Sequence, residues 1–101
     1  MIQSETESDL DLQRIIHFLK TGWPQNITDN YIMQFYRRKD ALTVVDGCLM
    51  LSERIVIPKT LQTRVLRQLH SGHPGITHMK ALARSYAYWP NIDKQIEEYV
   101  R

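Results

Sequence analysis

The segment Leu69-His70-Ser71-Gly72-His73-Pro74-Gly75 decides the fold of the second half of the chain. Apolar residues at helical spacing lie on both sides of it: Leu61, Val65, Leu66 and Leu69 before it, and Ile76, Met79, Leu82 and Ala83 after it. This pattern predicts two amphipathic helices joined by a tight turn that the glycines and the proline fix. The two histidines straddle the turn. On spacing alone, such a pair is more often a capping or surface pair than half of a metal site.

Length and composition describe one small domain or a fragment of a larger protein. The chain has 101 residues, of which 43% are hydrophobic and 24% charged, as in ordinary globular proteins. No apolar run is long enough to span a bilayer and no secretory signal opens the chain, so we expect no membrane association. The single cysteine, Cys48, excludes an internal disulfide and suits a reducing compartment. We therefore expect an intracellular protein, nuclear or cytoplasmic.

The hydrophobic periodicity predicts a mostly helical α+β fold. Residues 1–8 are polar and we expect them to be frayed, with Ser8 capping a helix from about Asp9 to Thr21. A short helix follows Asp29. The pair Asp46-Gly47 predicts a hairpin, and residues 54–57 a third strand, which together make a small antiparallel meander. A helix-turn-helix-like bundle of three helices completes the chain. We divide it into a helical region, 1–41, and a hairpin with a second domain, 42–101.

The basic residues are unevenly distributed, although the net charge is only +2. No acidic residue occurs between Arg54 and Ile92, a stretch that includes Lys59, Arg64, Arg67, Lys80 and Arg84. Such a stretch favours a polyanionic partner, because nothing in it repels phosphate. A solvated basic face with no ligand is the alternative. The triplet 37–39 lies at a predicted helix end, where cations complement the helix dipole, so we do not count it as a nucleic-acid patch.

The residues around the two histidines resemble a known family. Leu69-His70, Gly72-His73-Pro74-Gly75 and Tyr88-Trp89-Pro90 are similar to the histidine-histidine-cysteine-cysteine (H2C2) zinc-binding domain at the N-terminus of integrases. The closest likeness is to integrases of gypsy-type LTR retrotransposon polyproteins. It extends upstream through the hairpin and Gly22-Trp23-Pro24, so that about residues 10–101 are covered.

The resemblance implies that His70 and His73 are two ligands of a structural zinc. The two cysteines of the family would fall beyond Arg101, so we expect this chain to be truncated before them and to bind zinc weakly or not at all. His78 is no substitute on family grounds, and we expect it to be exposed on the following helix.

The resemblance also implies a role in DNA integration without catalysis. Integrase domains of this kind contact DNA and other integrase subunits, so we expect Lys59, Arg64, Arg67, Lys80 and Arg84 to contact phosphates without sequence preference. Self-association is possible on the same grounds. The catalytic integrase domain is absent from this sequence, and no nucleophile or cofactor motif replaces it. The chain by itself is then not an enzyme. Two alternatives remain: a protein-interaction module with Trp23, Tyr88 and Trp89 as anchors, or an inactive retroelement relic.

Overall fold

The computed structural model describes residues 1–72 and 74–100. Within these ranges the chain forms six α-helices and a four-stranded sheet, which confirms the mostly helical α+β fold. The elements are α1 (Ile2–Ser8), α2 (Leu10–Thr21), α3 (Asn30–Tyr36), β1 (Leu42–Val45), β2 (Cys48–Leu51), β3 (Arg54–Val56), α4 (Lys59–Leu69), α5 (Ile76–Tyr86), β4 (Ala87–Tyr88) and α6 (Ile92–Val100). No helix in the described part of the chain is both long and apolar enough to cross a membrane.

The N-terminus differs from the prediction, because residues 2–8 form helix α1 instead of a frayed end. Thr6 of this helix is buried, and Ile2 packs against the core that α4 helps to form. The Thr60 hydroxyl donates a hydrogen bond to Glu5 Oε1 (2.6 Å). The predicted cap is also wrong: Asp9, not Ser8, caps α2, since Leu12 N donates to Asp9 Oδ1 (3.1 Å). Tertiary contacts therefore stabilise a helix whose own sequence is polar.

The sheet has the order β1-β2-β3-β4. The Asp46-Gly47 hairpin is confirmed, with Val45 opposite Cys48, and β3 continues the antiparallel meander. Strand β4 then adds in parallel to β3, a pairing that the extended run before Pro90 did not predict. Two helices, α4 and α5, form the connection that a parallel pairing requires.

The core has two parts that meet at the sheet. One lies among α2, α3 and the first strands and includes Tyr88; the other lies among α4, α5 and α6 and includes Trp89. Successive residues of an extended segment point to opposite faces, so these two neighbours fill different cores. Trp89 is 1% exposed, and its Nε1 donates to Gln95 Oε1 (2.8 Å) on α6. The end of β4 therefore fixes α6 against α4 and α5.

The tryptophans bear on the interaction-module alternative. Trp23 lies 5.4 Å from Phe18 and 5.3 Å from Tyr36 between ring centroids, so it packs the end of α2 against the core. Tyr88 and Trp89 are both buried. Neither can act as a surface anchor while the chain is folded, so that detail of the alternative is wrong.

Candidate metal and nucleic-acid site

His70 lies where three helices meet. It ends α4, and its backbone N–H donates to the Leu66 carbonyl (3.1 Å). The ring Nδ1 is 3.4 Å from the Met79 sulfur on α5, and the ring packs edge-on against Tyr99 of α6 with centroids 5.6 Å apart. The imidazole is half-buried and held by all three helices of the second core. A metal ion bound by His70 at this position would connect the three helices.

The other donors of a zinc site are not supplied by the described residues. His73, the second predicted ligand, lies outside them. Over 1–72 and 74–100, no three His, Cys, Asp or Glu side chains are close enough to hold a metal ion. Cys48 is a half-buried thiol on β2, and His78 is exposed on α5 as predicted. Zinc in structural sites takes four ligands, so His70 can be one member of a set that the described residues do not complete.

Three of the five predicted phosphate-binding residues form ion pairs within the chain. Lys59 Nζ lies 2.8 Å from Asp11 Oδ2, and this hydrogen bond raises the pKa of Lys59. On α5, Lys80 Nζ lies 3.4 Å from Glu97, and Arg84 Nη2 lies 3.0 Å from Asp93. Residues 54–92 contain no acidic residue, but carboxylates from α2 and α6 lie next to their basic side chains in the folded chain.

The other two residues are differently placed. Arg64 and Arg67 are exposed on α4, one turn apart. Arg64 Nη1 lies 2.9 Å from the Met1 sulfur. Neither arginine has a carboxylate within ion-pair distance in the described part of the chain. These two side chains are therefore accessible to an external anion.

A second group of arginines was not predicted from the sequence. Arg38 and Arg54 line a cavity of about 320 Å³ between the end of α3 and the start of α6, together with Arg84 and Tyr88. Arg54 comes from β3 and Arg38 from the basic triplet that we attributed to the helix end. Arg54 and Tyr88 lie on neighbouring strands because β4 pairs in parallel with β3. No sequence signal marks that pairing.

The second half of the chain matches a known family. Residues 57–101 match the model described as integrase zinc binding domain. The resemblance derived from the histidine turn and from Tyr88-Trp89-Pro90 is thereby confirmed. The matched range contains β4 and the three helices α4, α5 and α6, which meet at His70. Zinc is thus the metal that the intact integrase zinc-binding domain takes.

The likeness to a curated relative extends over both halves of the chain. The uncharacterized protein K02A2.6 of Caenorhabditis elegans is 37% identical over 101 residues, which cover 99% of this chain. The same alignment covers 8% of that protein, so the chain spans less than a tenth of the length of its relative. No solved structure matches the chain.

Proposed function

We propose that this chain is part of a retroelement integrase polyprotein, in which it binds DNA without sequence preference and helps integrase subunits to assemble. The observation that carries this proposal is the family match over residues 57–101, combined with the exposed basic face of α4. The small share of the relative that the chain covers supports a place within a longer protein. In this proposal the chain has no catalytic activity of its own and acts inside the cell, in the nucleus or the cytoplasm.

The ion pairs divide the five predicted DNA-binding residues into two groups of different expected affinity for phosphate. Arg64 and Arg67 can bind phosphates directly. The other three side chains must first break an ion pair with a carboxylate: Lys59, Lys80 and Arg84. Exposed ion pairs contribute only about 0–1 kcal/mol to stability, so a DNA phosphate can displace the carboxylate. Such an exchange nevertheless adds less binding free energy than a phosphate contact that breaks no ion pair. We expect Arg64 and Arg67 to dominate the affinity for duplex DNA.

Fluorescence anisotropy with a random duplex at low salt tests this ranking. The pair Arg64→Gln/Arg67→Gln should lower the affinity and reduce the salt slope by about 2, because two phosphate contacts are lost. Lys20→Gln/Lys94→Gln removes the same charge from exposed positions elsewhere and serves as the matched control. Equal effects of the two pairs would show that only net charge matters and would contradict a defined DNA face.

A protein-interaction module is the second candidate. It is favoured by the three ion pairs, which reduce the free positive charge, and by the outer strand β1, whose Val44 and Val45 are 39% and 52% exposed. An outer strand with exposed apolar side chains can pair with another chain. Sedimentation of the chain over a range of concentrations, with no DNA binding at low salt, would favour this function over the first.

A further inference from the structure

The cleft between α3 and α6 carries an excess of positive charge. Two adjoining cavities, of about 320 and 580 Å³, share Gln34, Arg38 and Asn91 in their linings. Arg54 and Arg84 line the first cavity, and Arg37 lines the second. Asp93 is the one carboxylate among the described residues of either lining, and it already pairs with Arg84. Four guanidinium groups therefore face this cleft against one acid.

Two of these arginines are held in fixed positions. Arg54 Nε donates to the Ala87 carbonyl (2.9 Å), and its guanidinium carbon lies 5.1 Å from the centre of the Tyr88 ring. The guanidinium carbon of Arg38 lies 5.7 Å from the same ring centre, and its Nη1 donates to the Gln34 carbonyl (3.0 Å). Both groups thus contact one buried aromatic ring, with donors left over for a ligand.

The electrostatics of the cleft favour the binding of an anion. Burial lowers the pKa of Arg54; Tyr88 and Asp93 oppose this shift, whereas the positive charges of Arg84 and Arg38 add to it. Arginine nevertheless remains charged at neutral pH, so the mutual repulsion stays in the folded protein. In the described part of the chain, neither Arg38 nor Arg54 has a carboxylate within ion-pair distance. An anion bound between them would remove this repulsion.

Phosphate is the anion that fits best. Planar guanidinium groups bind phosphate oxygens through paired hydrogen bonds, and arginine is favoured where such recognition is needed. The first turn of α6 also lines the cleft, and the start of a helix attracts negative charge. We propose that this cleft binds one phosphate group of a DNA backbone, with Arg38 and Arg54 as its principal ligands. This inference rests on the proposed DNA-binding function and adds a second contact point, away from the exposed face of α4.

The first arm of the test uses inorganic pyrophosphate and the full chain. We expect the NMR signals of Arg54 Nε–H and Trp89 Nε1–H to shift to saturation, because both residues line the cleft. Arg38→Gln should abolish the shift, whereas Lys39→Gln, next to it in sequence and outside the lining, should not. Shifts no larger than those caused by sodium chloride at equal ionic strength would overturn the phosphate site.

The second arm uses random duplex DNA. Arg38→Gln should weaken binding about tenfold at low salt, as expected for one charge-assisted contact, and reduce the salt slope by about 1. Lys39→Gln should weaken binding much less. Equal effects of the two variants would overturn DNA as the source of the phosphate. If the unmodified chain binds no DNA at all, the proposed function fails, and the pyrophosphate arm still decides whether the cleft holds phosphate.

Discussion

One carboxylate, that of Asp9, caps two helices from different halves of the chain. Oδ1 accepts from Leu12 N (3.1 Å) in the first turn of α2, and Oδ2 accepts from Lys59 N (3.0 Å), the first residue of α4. Helix α4 has no side-chain cap of its own, because Pro58 precedes it. Asp9→Ala therefore leaves both helix starts uncapped and removes a negative charge from their positive ends.

The expected loss follows from the value of a single cap. Replacing an N-cap side chain by alanine costs about 0.5–2 kcal/mol, so the loss of both caps should cost about 2–3 kcal/mol. Each kcal/mol lowers the Tm of a domain of this size by roughly 4–8 °C, which makes the effect easy to measure. Asp9→Asn keeps one carbonyl oxygen as an acceptor and should lose about half as much free energy of unfolding.

Urea unfolding of the full chain, followed by circular dichroism, provides the measurement. Glu7→Ala is the control, because this substitution removes the same charge from an exposed position on the neighbouring helix α1. A loss below about 0.5 kcal/mol for Asp9→Ala would refute the double cap, because even one cap is worth that much. Equal losses for Asp9→Ala and Glu7→Ala would assign the effect to charge alone.

Three further predictions concern the second core, the half-buried Tyr31 and zinc. Trp89→Phe should lower the free energy of unfolding, measured by urea unfolding, by about 2 kcal/mol, because it removes a buried hydrogen bond and leaves a void. Trp23→Phe is the control and should lower the free energy of unfolding less. Burial raises the pKa of Tyr31, so the folded chain keeps the phenolic proton at pH values where the unfolded chain has lost it. The free energy of unfolding should therefore fall as the pH rises above about 10. Urea unfolding at several pH values should show this fall, and a less steep one in Tyr31→Phe. Calorimetric titration of the chain with zinc should show no stoichiometric sub-micromolar binding. Tight binding would contradict the expectation that this chain binds zinc weakly or not at all.

The helices were predictable because their apolar spacing is regular. The stripes of α2 and α4 correspond to buried residues such as Leu12, Ile15, Leu61 and Val65, and the Asp46-Gly47 turn fixed the hairpin. Helix α1 was missed because its stability comes from contacts with α4 and not from its own sequence. Strand β4 was missed as a sheet member because two residues are too few for an alternating pattern.

The candidate site was only partly predictable. The histidine turn identified the family, and that part depends on local sequence. The distribution of charge depends on the tertiary structure, since Asp11 on α2 pairs with Lys59 and Asp93 on α6 pairs with Arg84. Arg38 and Arg54 both lie against the Tyr88 ring, and Arg54 reaches it because β3 and β4 are neighbours in the sheet. None of these three contacts has a sequence signal.

The salt dependence of DNA binding tests the central claim most directly. The unmodified chain should bind a random duplex at low salt, with the logarithm of the binding constant falling linearly with the logarithm of salt concentration. In our account Arg64, Arg67 and the cleft each engage one phosphate, about three in all, which predicts a slope of about −3. Binding that is independent of salt, or absent at about 50 mM salt, would contradict a phosphate-mediated role in DNA integration.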